Sequence, residues 1–359
     1  MTKTTRTNQP ADAPAPVDSP QRTAGTAISR GPALTVAIVG ADSFLGRNLV
    51  KTLEHDARVG RVVAIDYRAP STAAKKTRFY DLDLTQPACE ERLAEILSAE
   101  RVDALVHTAF LSSPTSAAAW AHEFESVGTM HVLHAARHAR VPKLIHWSQT
   151  LLYGARPENP NHLTEAHALR ARTDTPFLAD KVAAETEVGR FASTSDCCVT
   201  VLRTAPILGP TVRNYLTRYL SHRLVPVLMG FDPLLQFVHE ADAIAAFLLA
   251  VVRDVPGTFN VVGAGVLPLT TVIRLAGRVP LPVPHPLAAP MTGALWAAGL
   301  AEAPAGFVDY LRYLCVADAE LAARDLGFRA HHTTRQAVLD FATAQHLRDV
   351  RLLRETVSR

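Results

Sequence analysis

The sequence is short of the features that mark several protein classes. It has four cysteines in 359 residues, Cys89, Cys197, Cys198 and Cys315, spaced neither as a disulfide framework nor as a metal-ligand set. The adjacent Cys197-Cys198 pair opens an apolar run and reads as packing. Its 15 histidines show no metal-ligand spacing either. This usage fits a reduced, cytoplasmic setting. Aromatics make up 6% of the chain, no Lys/Arg run is interleaved with them, and the net charge of +3 is scattered, so no nucleic-acid partner is expected. Long apolar runs are missing too. AIAAFLLAVV and LAAPMTGALWAAGLA are too short or too interrupted to cross a bilayer, which argues against a membrane partner. The first 33 residues lack nearly every large apolar side chain and consist largely of Thr, Pro, Ala and Ser. They are expected to form a disordered tail, without the apolar core of a signal peptide.

What is present begins at residue 34. LTVAIV, RVVAID, RFYDLD, ALVHTA, KLIHWS and CVTVLR are short apolar strands that alternate with helical stretches such as LGRNLVKTLEHD and ACEERLAEILSAE. Continuous apolar strands between helices predict a doubly wound α/β fold, a parallel sheet covered on both faces. After Arg203 the alternation breaks. Short helices, Pro-rich loops and two isolated strands, LLQFVH and GTFNVV, predict a smaller and less regular region. The expected organisation is a tail at 1–33, a dinucleotide-binding domain at 34–205, a mainly substrate-binding region at 206–345 and a C-terminal tail at 346–359.

LTVAIVGADSFLGRNLV sets Gly40 directly after a strand and Gly46 at a helix start, with Ser43 where a middle glycine usually sits. The first glycine allows the tight turn and the last lets helix and sheet approach closely. The free N–H groups of the helix start, from Ser43 through Phe44, Leu45 and Gly46, can hold a pyrophosphate. At the next strand end, Asp66 can accept ribose hydroxyls and favours NADH, whereas Arg68 can hold a 2′-phosphate and favours NADPH. The choice between the two stays open.

These elements, with DLT, VGTMHVLHAA, HWSQTLLYG, FLADK, VLRTAPILGP and QFVHEADAI, resemble the extended short-chain dehydrogenase/reductases, the NAD-dependent epimerase/dehydratase superfamily. The resemblance spans nearly all of residues 34 to 345. It implies that Asp83 and Leu84 border the adenine, that Thr108, Ala109 and Phe110 lie along the cofactor, and that Pro206, Ile207 and Leu208 flank the nicotinamide. It also implies that Lys181 bonds the nicotinamide ribose. The family often dimerises through the helix that carries this lysine, so a homodimer is the assembly it suggests.

The departures from the family pattern say more. The family's proton donor is the Tyr of Tyr-x-x-x-Lys, and here that position is Phe177. Its Ser or Thr, four residues before the Tyr-Gly, is Gln149. Its usual Asn before Gly-Thr is Glu125. Of the catalytic triad only Lys181 survives. The lost acid–base term is on the order of 10²–10⁴-fold in rate, or about 3–5 kcal/mol of barrier. Oxidising a sugar alcohol without that base is demanding, which disfavours epimerisation and 4,6-dehydration. A ketone beside an acidic phenol brings its own polarisation and proton. The pattern is similar to the triad-lacking ketoreductases of angucyclinone (simocyclinone-type) biosynthesis, which implies an NADPH- or NADH-dependent ketoreductase acting on an aromatic polyketide ketone. A dinucleotide-binding pseudoenzyme or redox sensor is the rival reading. Candidate carbonyl-orienting hydroxyls are Ser112, Ser113, Ser148, Thr150 and Tyr153. His239 is expected to be a satisfied buried histidine, and Asp180 to face solvent or cap a loop.

Overall fold

A computed structural model of the chain describes residues 33–69 and 75–357, so the expected N-terminal tail, apart from Ala33, lies outside the described residues. Seven strands form one parallel sheet: β1 (Leu34–Val39), β2 (Val59–Asp66), β3 (Thr77–Asp81), β4 (Ala104–His107), β5 (Lys143–Gln149), β6 (Cys198–Thr204) and β7 (Gly257–Val261). Their spatial order is β7-β6-β5-β4-β1-β2-β3. The chain thus winds outward from β1 in both directions, and the switch point falls between β1 and β4. Ligands of open α/β sheets bind above such a point, at the carboxyl ends of the strands.

The strands read as continuous apolar runs because both faces are covered. Val36 and Ile38 of β1 pack toward α1 (Phe44–His55) and α5 (Glu240–Val252), while Ala37 and Val39 belong to the opposite core with α2 (Cys89–Ala99), α3 (Gly128–His138) and α4 (Pro176–Ser193). Leu45, Leu49 and Leu53 of α1 recur at helical spacing and are fully buried. Among the described residues, no helix is long and apolar enough to cross a membrane.

The expected division at residue 205 meets no break in the structure. Phe259 and Val261 of β7 join the core beneath α5, and β7 completes the sheet beside β6. The rest of the C-terminal part has its own core, built around Leu208, Val225, Phe237, Leu269 and Phe341. LLQFVH is not one strand. Leu234–Leu235 and Val238–His239 make separate two-residue pairings, and between them the Gln236 side chain bonds both backbone groups of Ala317. The expected tail from 346 is instead helical. After α6 (His285–Ala297), helix α7 (Thr334–Val357) runs through it, anchored by Ala337, Val338 and Phe341.

Candidate active site

The β1–α1 turn sets the first half of the site. Gly40 has φ +85°, and a Cβ there would lie 2.4 Å from the Ala109 nitrogen. A Cβ on Gly46 would lie 2.0 Å from the Gly40 carbonyl oxygen. Both positions therefore demand glycine. Ser43 caps α1, its Oγ accepting from the Gly46 N–H at 2.9 Å. Its hydroxyl proton remains free for a phosphate. A cleft of about 360 Å³ opens above this turn. The strand order puts Asp66 and Tyr67, after β2, on one side of β1, and Ala109, Phe110, Leu111 and Ser112, after β4, on the other. Asp66 is buried and held by the N–H groups of Asp42 and Tyr67, both at 2.8 Å. Burial pushes its carboxyl up, against those hydrogen bonds. A glycine cradle at a helix start, with a carboxylate at the neighbouring strand end, fits a dinucleotide that lies across β1 with its adenosine over Asp66.

Several expected cofactor residues do not reach this cleft. Leu45 is buried in the core, and Thr108 turns its hydroxyl to the carbonyls of Val39 and Gly40. Asp83 accepts from the Thr85 N–H and hydroxyl, Leu84 packs beneath α3, and neither lines the cleft. Arg68 lies over the Tyr67 ring at 4.9 Å, outside the lining. Ile207 and Leu208 are buried, and Pro206 borders a different cavity. Sequence reasoning missed Trp120 and Phe124, whose rings stack at 5.3 Å beside the cleft. It also missed Arg213, which lines the cleft from a loop tied by the Thr211 and Val212 N–H groups to the Glu240 carboxylate.

Phe177 and Lys181 are both buried on α4, one turn apart. The Lys181 ammonium lies 4.4 Å from the Phe177 ring centre and 5.0 Å from that of Phe110. It donates to Glu125 Oε1 at 2.7 Å and to the Leu111 carbonyl at 3.2 Å. Burial pushes Lys181 down and Glu125 up, each opposed by the other's charge. Glu125 stands in a five-residue π-helical turn, Glu123–Val127, that leads into α3. Behind Phe110, His107 and His146 are register partners on β4 and β5, with rings 5.6 Å apart. Burial pushes His107 down to about 3 and His146 well below the usual range, so both are neutral.

The hydroxyl candidates separate clearly. Tyr153 is fully buried, donates to Asn260 Oδ1 at 2.8 Å and accepts from Arg203 at 2.8 Å. Burial pushes its phenol up to about 12. It holds β5 to β7 and has no proton to offer a substrate. Ser148 donates to the buried Glu185 carboxylate. Ser112 lines the dinucleotide cleft and bonds the Arg213 carbonyl at 3.3 Å; Ser113 follows it on the same loop, half-buried. Gln149, half-buried at the end of β5, has no side-chain partner among the described residues. Asp180 is buried and bonded to His122 at 2.7 Å, not turned to solvent. His239 caps α5 through the Ala241 N–H and stacks on His332 at 4.1 Å.

A second cavity, of about 250 Å³, begins at Thr150. Tyr215, Phe307, Tyr310, Met291, Leu295 and Leu300 are among the residues of its apolar wall. Phe177 touches that wall from behind, 5.9 Å from Phe307 and 6.5 Å from Tyr215. No Lys or Arg lines the cavity, and its one histidine, His222, is 3.4 Å from Glu302.

The sequence pattern of the "NAD dependent epimerase/dehydratase family" matches residues 36–262. The chain belongs to that family. Uncharacterized family relatives from Mycobacterium tuberculosis and Mycobacterium bovis are each 31% identical over 321 residues, covering 85% of this chain and 82% of their own. A Streptomyces protein named 3-diazoavenalumate denitrifying reductase is 29% identical over 238 residues, 64% of this chain and 75% of its own. Among solved structures, MoeE5 in complex with UDP-glucuronic acid and NAD superposes with TM-score 0.67 at 21% identity, covering 88% of this chain and 99% of that one. The Bordetella bronchiseptica enzyme WbmG with NAD and UDP gives TM-score 0.68 at 19% identity, over 89% and 96%. These distant structures share the family fold.

Proposed function

We propose that the chain is a nicotinamide-dinucleotide-dependent reductase that converts a ketone of an aromatic, angucyclinone-like polyketide to an alcohol, with the proton drawn from a phenol of the substrate itself. The observation that carries this reading is the apolar, aromatic-walled cavity beside Phe177. A nucleotide sugar brings a pyrophosphate, and this cavity is lined by no Lys or Arg to meet it; its one glutamate, Glu302, is already paired with Arg218 at 2.5 Å. A flat, neutral polycycle buries its surface there without that cost.

When bound, the dihydronicotinamide supplies the hydride. The chain's own residues orient and exclude water. Asp66 suits ribose hydroxyls and repels a 2′-phosphate, which favours NADH. Phe307, with Phe177 packed behind it, gives an apolar boundary in which an internal phenol–carbonyl hydrogen bond is not lost to solvent. Phe177 has no proton to give, and Tyr153 and Ser148 have theirs committed elsewhere. The Streptomyces relative supports a second acceptor class. A diazo acceptor forms no alkoxide on reduction, so it too dispenses with the tyrosine.

The test follows NADH and NADPH oxidation against aryl ketones that carry a hydroxyl peri to the carbonyl, with a diazo-arene alongside. Turnover of the hydroxy-ketones is expected, and Phe177→Tyr should change it less than about threefold. A gain of a hundredfold or more would show that the missing tyrosine limits the rate. Tight dinucleotide binding with no turnover on any acceptor would leave the pseudoenzyme reading.

A further inference from the structure

The loss of tyrosine at 177 draws attention first, yet the more consequential position is Glu125. Its Oε1 accepts from both the Leu111 N–H, at 2.6 Å, and Lys181, at 2.7 Å. The two side chains are 0% and 4% exposed. Asparagine, which the resemblance places here, is neutral, so a protonated lysine beside it would add a net positive charge. Glutamate cancels that charge. Whether the shared proton sits on nitrogen or on oxygen, the Glu125–Lys181 pair has no net charge.

No other buried group restores the cation. His107 and His146 are neutral, Arg203 is paired with Glu185, and the buried Asp180, bonded to His122, adds negative charge beside Lys181. Arg213 stays exposed at the mouth of the cleft. Lys181 contacts Phe110 and the Leu111 carbonyl, both on the β4 side of β1, away from Asp66. That is the end left for the nicotinamide once the adenosine lies over Asp66.

We propose that Glu125 determines specificity by cancelling the Lys181 charge beside the nicotinamide, so that the site reduces only acceptors that carry their own proton. Ketone reduction, with hydride that a bound dihydronicotinamide would supply by breaking its own C–H bond, forms a C–H bond at the carbonyl carbon, breaks the carbonyl π bond and places its electron pair on oxygen. An uncompensated lysine would stabilise that oxyanion, and a neutral pair does not. In a substrate with a peri phenol, the O–H proton passes to the carbonyl oxygen as the C–H bond forms, and water then reprotonates the phenolate. In the matching methyl ether no proton is at hand and the alkoxide stands uncompensated. The substrate half of this inference rests on the reductase reading above; the charge cancellation does not.

Two measurements separate them. The first needs no substrate: affinities for NAD⁺ and NADH are compared by titrating dihydronicotinamide fluorescence and by competition. Glu125→Gln removes the hydrogen-bonded anion and leaves only the weaker influence of Asp180. At low pH, where Lys181 keeps its proton, the cationic NAD⁺ should therefore weaken about tenfold relative to NADH, and the shift should fade as pH rises and the buried lysine gives that proton up. Glu125→Gln/Lys181→Met, again neutral, should return the wild-type ratio. A ratio unmoved by Glu125→Gln at every pH would overturn the proposal. Should that single variant fail to fold, Glu125→Asn, the residue the resemblance places here, takes its place with the same two outcomes. The second measurement compares a tetralone with a hydroxyl peri to its carbonyl and its methyl ether. The wild type should prefer the hydroxy compound, Glu125→Gln should narrow that preference at least tenfold, and the double variant should restore it. An unchanged preference in Glu125→Gln overturns the substrate half. If the wild type turns over neither compound, the reductase reading fails while the NAD⁺/NADH ratio still decides the charge.

Discussion

The dinucleotide cleft and the apolar cavity are adjacent but built in opposite ways. The cleft is largely a backbone construction. A glycine at φ +85°, a second glycine packed on the first one's carbonyl, and a serine capping α1 leave little freedom. The cavity is a side-chain construction, drawn from Thr150, the 215–236 stretch, α6 and the residues around Phe307. Backbone sterics forbid nearly every alternative residue, whereas an apolar wall accepts many combinations of similar volume. The cleft can therefore be shared across a family while the cavity changes with each substrate.

This contrast can be broken at its rigid end first. Gly46→Ala places a methyl group against the Gly40 carbonyl and should weaken dinucleotide binding by about a hundredfold or more, measured by fluorescence titration. Acid acts on the same half of the molecule. His107 must stay neutral in the fold, with its pKa depressed to about 3. The unfolded chain binds that proton near pH 6.5, so stability is complete above 6.5 and falls as pH drops toward 3. The slope is about 1.4 kcal/mol per pH unit for one proton, so urea midpoints should show a loss of about 2 kcal/mol from His107 by pH 5, with His146 acting in the same direction. A flat profile over that range would mean that water reaches the pair. On the cavity side, Leu295→Trp fills space and should raise the substrate KM about tenfold while dinucleotide affinity stays unchanged. The smallest effect is expected for Asp66→Asn, which removes one negative charge and should shift the NADH/NADPH preference by a few fold.

The sequence made the cleft readable because each requirement there is local. Gly40, Ser43 and Gly46 lie within seven residues, and Asp66 ends the next strand. The βαβ alternation was equally plain, because strands covered on both faces show no polar alternation. What stayed hidden depends on distant residues. Trp120 and Phe124 reach the cleft from a helix start that carries no dinucleotide motif, and Arg213 reaches it through a loop fastened by Glu240. Residues 206–345 could not be separated from the sheet by composition, because β7 returns to it after some fifty residues elsewhere. The departures at 125, 149 and 177 were visible as letters. That Glu125 and Lys181 meet required the two helical segments to be packed together.

The π-helical turn at Glu123–Val127 ties these features to one another. Such a turn holds one residue more than α-helical spacing needs. Removing that residue would let the helix close and rotate the chain before it by about 100° relative to α3. Trp120 and Phe124 would swing from the mouth of the cleft. A single-codon deletion would thus act as a gear change, altering how the cofactor is covered without touching a motif residue. Sequence variation among relatives is expected to show length differences here, where substitution alone cannot reach the same result.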